Sequence, residues 1–190
     1  MRYIISTFKS EKKLLLIALL IFILSCILGI LLALAFEPQI TKLFNTVIRK
    51  FFQNLLKNVS NSSDLFFVIL KNNLRVYLVI LTLGTISFGL VSAFILITNG
   101  LIVGIVSTIY AKQTSILKTL LLILPHGIFE ISAFVIGSVA SAIFLKEAIS
   151  KKQPNLKEAF KKFFALSIAG ALLVVFAAFI EAFITPIFAK

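Results

Sequence analysis

Few residues in this 190-residue chain could do chemistry within its long apolar runs: His126, Glu130, Glu181 and Asn99. His126 and Glu130 stand four apart, so one helical face would carry both within hydrogen-bonding reach. Pro125 suits a first helical position, where a missing N–H is no loss, and predicts a helix that begins there. An imidazole with two carboxylates can relay protons, contact a substrate, ligate a divalent cation or brace neighbouring helices. Ionisable groups inside a bilayer cost roughly 2.5 to 3.5 kcal/mol each on insertion scales, so they need a partner or a role. For a metal the set is weak, because its three ligands fall on two segments and include one histidine. A buried polar brace that fixes helix register is the favoured reading, with no metal or cofactor expected, and a proton or transport path is the alternative.

Other chemistry leaves no trace. There is no glycine-rich phosphate loop, no cysteine or histidine cluster and no serine beside a base, so an enzyme is not expected. Cys26 is the single cysteine and lies within an apolar run, which excludes an intramolecular disulfide.

The surroundings are those of a membrane. Sixty per cent of the residues are apolar and 14% charged, against about half and a quarter in an ordinary soluble domain. The net charge of +12, read alone, suggests nucleic acid. Position argues otherwise: Arg2, Lys9, Lys12 and Lys13 precede the first apolar run, and Lys146, Lys151, Lys152, Lys157, Lys161 and Lys162 precede the last. Such clusters favour the anionic cytoplasmic leaflet, so the lipid bilayer is the expected partner and nucleic acid is not.

Leu14 to Phe36 is uncharged and long enough to span as a retained helix. After Glu37-Pro38, the residues Ile40, Leu43, Phe44, Val47, Ile48, Phe51, Phe52, Leu55, Leu56 and Val59 form one helical face, opposite Lys42, Asn45, Arg49, Lys50, Asn54 and Lys57. This predicts an interfacial or partner-binding helix. A polar turn, Ser60 to Asp64, offers Ser63 or Asp64 as N-cap to a second amphipathic piece, Leu65 to Asn73. Leu74 to Thr98 reads as a second span, Asn99-Gly100 as a hairpin turn and Leu101 to Tyr110 as a third apolar stretch. Polar residues between Ala111 and Thr119 predict a broken or re-entrant segment. Ile128 to Leu145 is a further span, Ser150 to Phe164 a basic amphipathic segment with Leu156, Phe160, Phe163 and Phe164 on one face, and Ala165 to Ala189 the last span.

The expected fold is an all-α integral membrane bundle of about five hydrophobic segments, with amphipathic interfacial helices and the one broken segment. It forms a single membrane domain over 1–190: span 14–36, amphipathic 37–73, hairpins 74–145, basic 146–164 and span 165–189. Positive-inside counting places the N-terminal end and the Lys146 to Lys162 segment in the cytoplasm, with 37–73 outside.

Three local patterns then coincide: Asn72-Asn73 before a span closed by Asn99-Gly100; Pro125-His126-Gly127-Ile128-Phe129-Glu130; and Ala177-Ala178-Phe179-Ile180-Glu181-Ala182-Phe183-Ile184-Thr185-Pro186. Together they resemble the stage II sporulation protein M family, from about Asn72 to Pro186. The matching positions are Asn73, Asn99, Gly100, His126, Gly127, Glu130, Glu181 and Pro186. The resemblance implies a multi-pass protein of the cell membrane. In spore-forming bacteria such a protein acts as a scaffold that holds extracytoplasmic peptidoglycan-degrading partners at the engulfing membrane. Relatives occur where no spores are made, so the role implied here is a non-enzymatic scaffold with a homo-oligomer or a membrane protein as partner. A small transporter or permease component using His126, Glu130 and Glu181 is the alternative.

Overall fold

Long apolar sequence in this chain closes into helices, the structure in which every backbone N–H and C=O can be satisfied within one segment in a bilayer. The computed structural model describes residues 2–150 and 154–189. Lys151 and Lys152 of the basic segment lie outside the described residues, as do the side chains of Arg2 and Phe52. The described elements are all helical: α1 (Arg2–Ser10), α2 (Lys12–Ala35), α3 (Glu37–Leu43), a π-helical turn (Phe44–Ile48), α4 (Arg49–Leu55), α5 (Ser62–Ile86), α6 (Leu90–Gln113), α7 (Ile116–Ala148), α8 (Leu156–Phe179), a second π-helical turn (Ile180–Ile184) and α9 (Thr185–Ala189). Five helices are long and apolar enough to cross a membrane: α2, α5, α6, α7 and the α8-to-α9 rod.

The crossings pack as two long pairs, α2 with α6 and α7 with α8, and α5 joins them by touching α6, α7 and α8. Small residues make the first pair close. Ser25 of α2 lies against Gly100 of α6, Gly29 of α2 against the Leu101 backbone, and Ala33 against Ile105 and Ile109. A Cβ on Gly100 would stand 2.7 Å from the Phe22 carbonyl oxygen, and one on Gly104 would stand 2.2 Å from that of Cys26. Without competing water, such backbone proximity is what lets apolar helices prefer each other to lipid. At the centre of the bundle Tyr77 of α5 is 1% exposed, slotted against Gly137 of α7 and Gly170 of α8, and its hydroxyl donates to the Ser167 carbonyl at 3.0 Å.

Several boundaries differ from the sequence reading. The predicted hairpin turn at Asn99-Gly100 lies inside α6; the chain turns instead at Ser87–Gly89. There the Gly89 N–H bonds to the Gly84 carbonyl at 2.7 Å and the Phe88 N–H to that of Thr85 at 3.2 Å, a left-handed helix end with φ of 55° at Phe88 and 90° at Gly89. Asn99 stays helical because its Nδ2 donates back to the Ile95 carbonyl at 2.8 Å, while Gly100 admits α2.

The break foreseen between Ala111 and Thr119 exists, but only as the exposed pair Thr114-Ser115 joining two full-length helices, rather than as a re-entrant segment. Ser115 Oγ caps α7 by accepting from the Lys118 N–H at 3.1 Å. Pro125 does not begin a helix: it lies within α7, where its ring leaves the Leu121 carbonyl without its usual donor. The N-cap of α5 is Asn61 rather than Ser63 or Asp64: its Oδ1 accepts from the Asp64 N–H, and Asp64 in turn accepts from the N–H of Ser60, one residue before the cap. The amphipathic pieces at 65–73 and 156–164 are not separate helices; each continues into the span that follows.

Candidate functional site

The buried polar site is assembled by α7 and the end of the α8-to-α9 rod, which run against each other. His126 and Glu130 share a face of α7, one turn apart, as their spacing requires. Opposite them, α8 gives way to the π-helical turn Ile180–Ile184, which holds Glu181, and then to Thr185 at the start of α9. A π turn inserts an extra residue and resets the helix face, and such turns recur at functional positions. Glu181 and Thr185 both reach α7 across this turn.

One imidazole nitrogen of His126 and one carboxylate oxygen from each of Glu130 and Glu181 lie within 4.8 Å of one another. His126 Nδ1 stands 3.2 Å from Thr185 Oγ1, a hydrogen bond that orients the ring and leaves Nε2 free. Among the described residues neither carboxylate takes part in a hydrogen bond or an ion pair. All three side chains are half-buried, within segments that cross the membrane, so apolar surface or hydrocarbon borders what the protein leaves open. Aromatic rings crowd the neighbourhood: Phe129 meets Phe176 edge-on with centroids 4.7 Å apart, and Phe183 packs on Phe179 at 5.0 Å.

The other positions picked out in the sequence do different work. Asn73 is buried on α5 and accepts from the Asn72 amide at 3.2 Å. Asn99 bonds within its own helix and Gly100 serves the α2–α6 seam. Gly127 is buried on α7, yet a Cβ there would meet only Ile123 at 3.7 Å, so space does not demand glycine. Pro186 follows Thr185 inside the continuous α8-to-α9 rod, just after the π-helical turn, where its missing N–H leaves a carbonyl of that turn without its usual donor. His126, Glu130 and Glu181 are therefore the trio the fold brings together, and Thr185 is the member the residue pattern left unmarked; its hydroxyl becomes visible only when α9 lies beside α7.

A second polar cluster escaped the sequence reading entirely. Glu11, between α1 and α2, is 1% exposed and accepts from Lys146 of α7 and, at 2.9 Å, from Lys162 of α8. Burial alone would raise the Glu11 carboxyl, but the hydrogen bonds and charges of the two lysines together outweigh it and hold the group below its ordinary value. These two lysines, read from position as lipid anchors, tie three helices at one end of the bundle. At the opposite end Lys112 of α6 pairs with Glu37 of α3.

Comparison with known proteins fits this architecture. The profile of stage II sporulation protein M matches residues 18–186. An uncharacterized protein of Methanocaldococcus jannaschii is 43% identical over 124 residues, covering 62% of this chain and 69% of that protein. No solved structure matches the chain. The matched region takes in all five crossings but the first turns of α2 and the end of α9, with His126, Glu130 and Glu181 inside it, and the chain belongs to the stage II sporulation protein M family.

Proposed function

We propose that this protein is a non-enzymatic scaffold of the cell membrane that holds a membrane protein partner, or further copies of itself, beside the bilayer. The observation that carries this reading is the arm from Glu37 to Leu55. Its first turns are tied to the bundle through Ile40 and Phe44, packed on Ala33, Ile105 and Ile109. Along the same arm Leu43, Val47 and Phe51 are 48%, 56% and 53% exposed, while Lys42, Arg49 and Lys50 occupy the polar side. An amphipathic helix of this kind lies in the membrane interface and presents one edge to whatever shares that plane. Membership in a family with a scaffold role supports the same reading. The test is photo-crosslinking from Val47 and Phe51 in native membranes. A discrete protein adduct or a homodimer is the expected result, reduced by Leu43→Asp; adducts with lipid alone would overturn it.

A second reading, a small transporter, is favoured by the convergence of His126, Glu130 and Glu181 at a helix irregularity inside the membrane, where transporters place their sites. It requires flux of an ion in proteoliposomes that Glu130→Gln abolishes; absence of flux for all ions and lipids tested removes it.

A further inference from the structure

Three observations about the α7–α9 site stand apart from the scaffold reading. The first is its donor set, one imidazole and two carboxylates with their ligand atoms within 4.8 Å of one another. The second is that neither carboxylate has a protein donor or a cationic partner among the described residues, although both stand within membrane-crossing segments. The third is the Thr185 hydroxyl on His126 Nδ1, which leaves Nε2 directed elsewhere.

We propose that His126, Glu130 and Glu181 form a site for a divalent transition-metal cation of the zinc class, which clamps α7 to the C-terminal rod within the membrane. Charge balance favours it: two carboxylates and one dication sum to zero, the total that a hydrocarbon setting penalises least. Ligand chemistry favours it too, since imidazole nitrogen with carboxylate oxygen suits zinc better than magnesium or calcium, which prefer oxygen alone. Metal–ligand bonds of about 2.0–2.2 Å would draw the three donors somewhat closer together than 4.8 Å, a movement within reach of two flexible glutamates. The Thr185–His126 bond is the kind of outer contact that fixes the tautomer and orientation of a ligating imidazole. Three protein ligands leave a fourth position for water or a bound anion. The scaffold arm, Glu37 to Leu55, contributes nothing to this site, so each proposal can fail without the other.

The test uses the full chain, purified tag-free in mild detergent without chelator. Metal analysis is expected to find about one zinc per chain. Titration of the stripped protein with zinc alone, in competition with a zinc-sensitive dye, is then compared across Glu130→Gln, Glu181→Gln and Thr185→Val. Each glutamine variant should bind at least about 100-fold more weakly, and Thr185→Val about 10-fold or more, as loss of an outer contact does. Zinc should raise the unfolding midpoint of the stripped wild type and leave that of the glutamine variants unmoved. Two carboxyls that simply share protons would show neither effect: substoichiometric metal and no zinc-dependent shift overturn the proposal, as does unchanged zinc affinity in either glutamine variant. If the glutamine variants do not fold, Thr185→Val decides, because it keeps all three ligands; wild-type zinc affinity in that variant overturns the site.

Discussion

Glu11 is the most buried charge in the described chain, and its two lysines make it a structural tie rather than a chemical group. A carboxyl held below its ordinary value in the folded state stabilises that state above about pH 4.5, the ordinary value, and the contribution disappears as pH falls through the lowered one. Thermal unfolding in detergent should therefore show a midpoint that drops on acidification below that value in the wild type and far less in Glu11→Gln. At neutral pH that substitution removes charge-assisted hydrogen bonds of the kind worth about 1.5–3 kcal/mol, and a loss of about 2 kcal/mol is expected. Tyr77 offers a graded contrast. Tyr77→Phe removes only the hydroxyl bond to Ser167 and should cost about 1 kcal/mol. Tyr77→Ala empties the slot between Gly137 and Gly170 and should cost about 3–5 kcal/mol, measured by the same unfolding curves.

Helices in this bundle meet through what their side chains lack. At the α2–α6 seam the Cβ of a larger residue at Gly104 would collide with backbone atoms of Cys26 and Ile30, which cannot rotate away. Gly104→Ile is expected to destabilise the protein by about 2–3 kcal/mol through overpacking, and to lower a disulfide yield between cysteines engineered on the facing sides of the two helices. The α5–α6 turn depends on a different property of glycine. Gly89 sits at φ 90°, where a Cβ has room beside Ala142 at 3.7 Å but the backbone conformation is strained for any other L residue. Gly89→Ala should cost about 1 kcal/mol or more for that conformation alone, visible as a lowered unfolding midpoint.

For the described residues, five crossings put α1, the Ser87–Gly89 turn, the end of α7 and the start of α8 at one end, and the Glu37–Leu55 arm with the Thr114-Ser115 turn at the other. The ion pairs agree, joining Glu11 to Lys146 and Lys162 at the first end and Glu37 to Lys112 at the second. In a Cys26→Ala background, single cysteines at Ser87 and Asn155 are expected to label from the cytoplasmic face, and at Ser62 and Thr114 from the opposite face. Labelling of Ser62 and Asn155 from the same side would exclude this arrangement and, with it, an external arm.

Hydrophobic length determined the all-α class directly from the residues, because a run long enough to span has no other stable form in lipid, whereas the polar residues after Tyr110 left one crossing undecided until α6 and α7 were seen as two full-length helices. The i, i+4 spacing of His126 and Glu130 likewise placed them on one face before any packing was known. Turn positions were less legible. Asn99-Gly100 and Pro125 carry turn and helix-start signals, yet both lie inside helices, since intrahelical bonding by Asn99 and close approach of α2 to Gly100 override local preference. Pairings across long separations were not legible at all. Glu181 and Thr185 meet His126, and Glu11 meets Lys146 and Lys162, only because α8 packs along α7 and α1 along α8. Those contacts arise from the shape complementarity of whole helices, which no local sequence window contains.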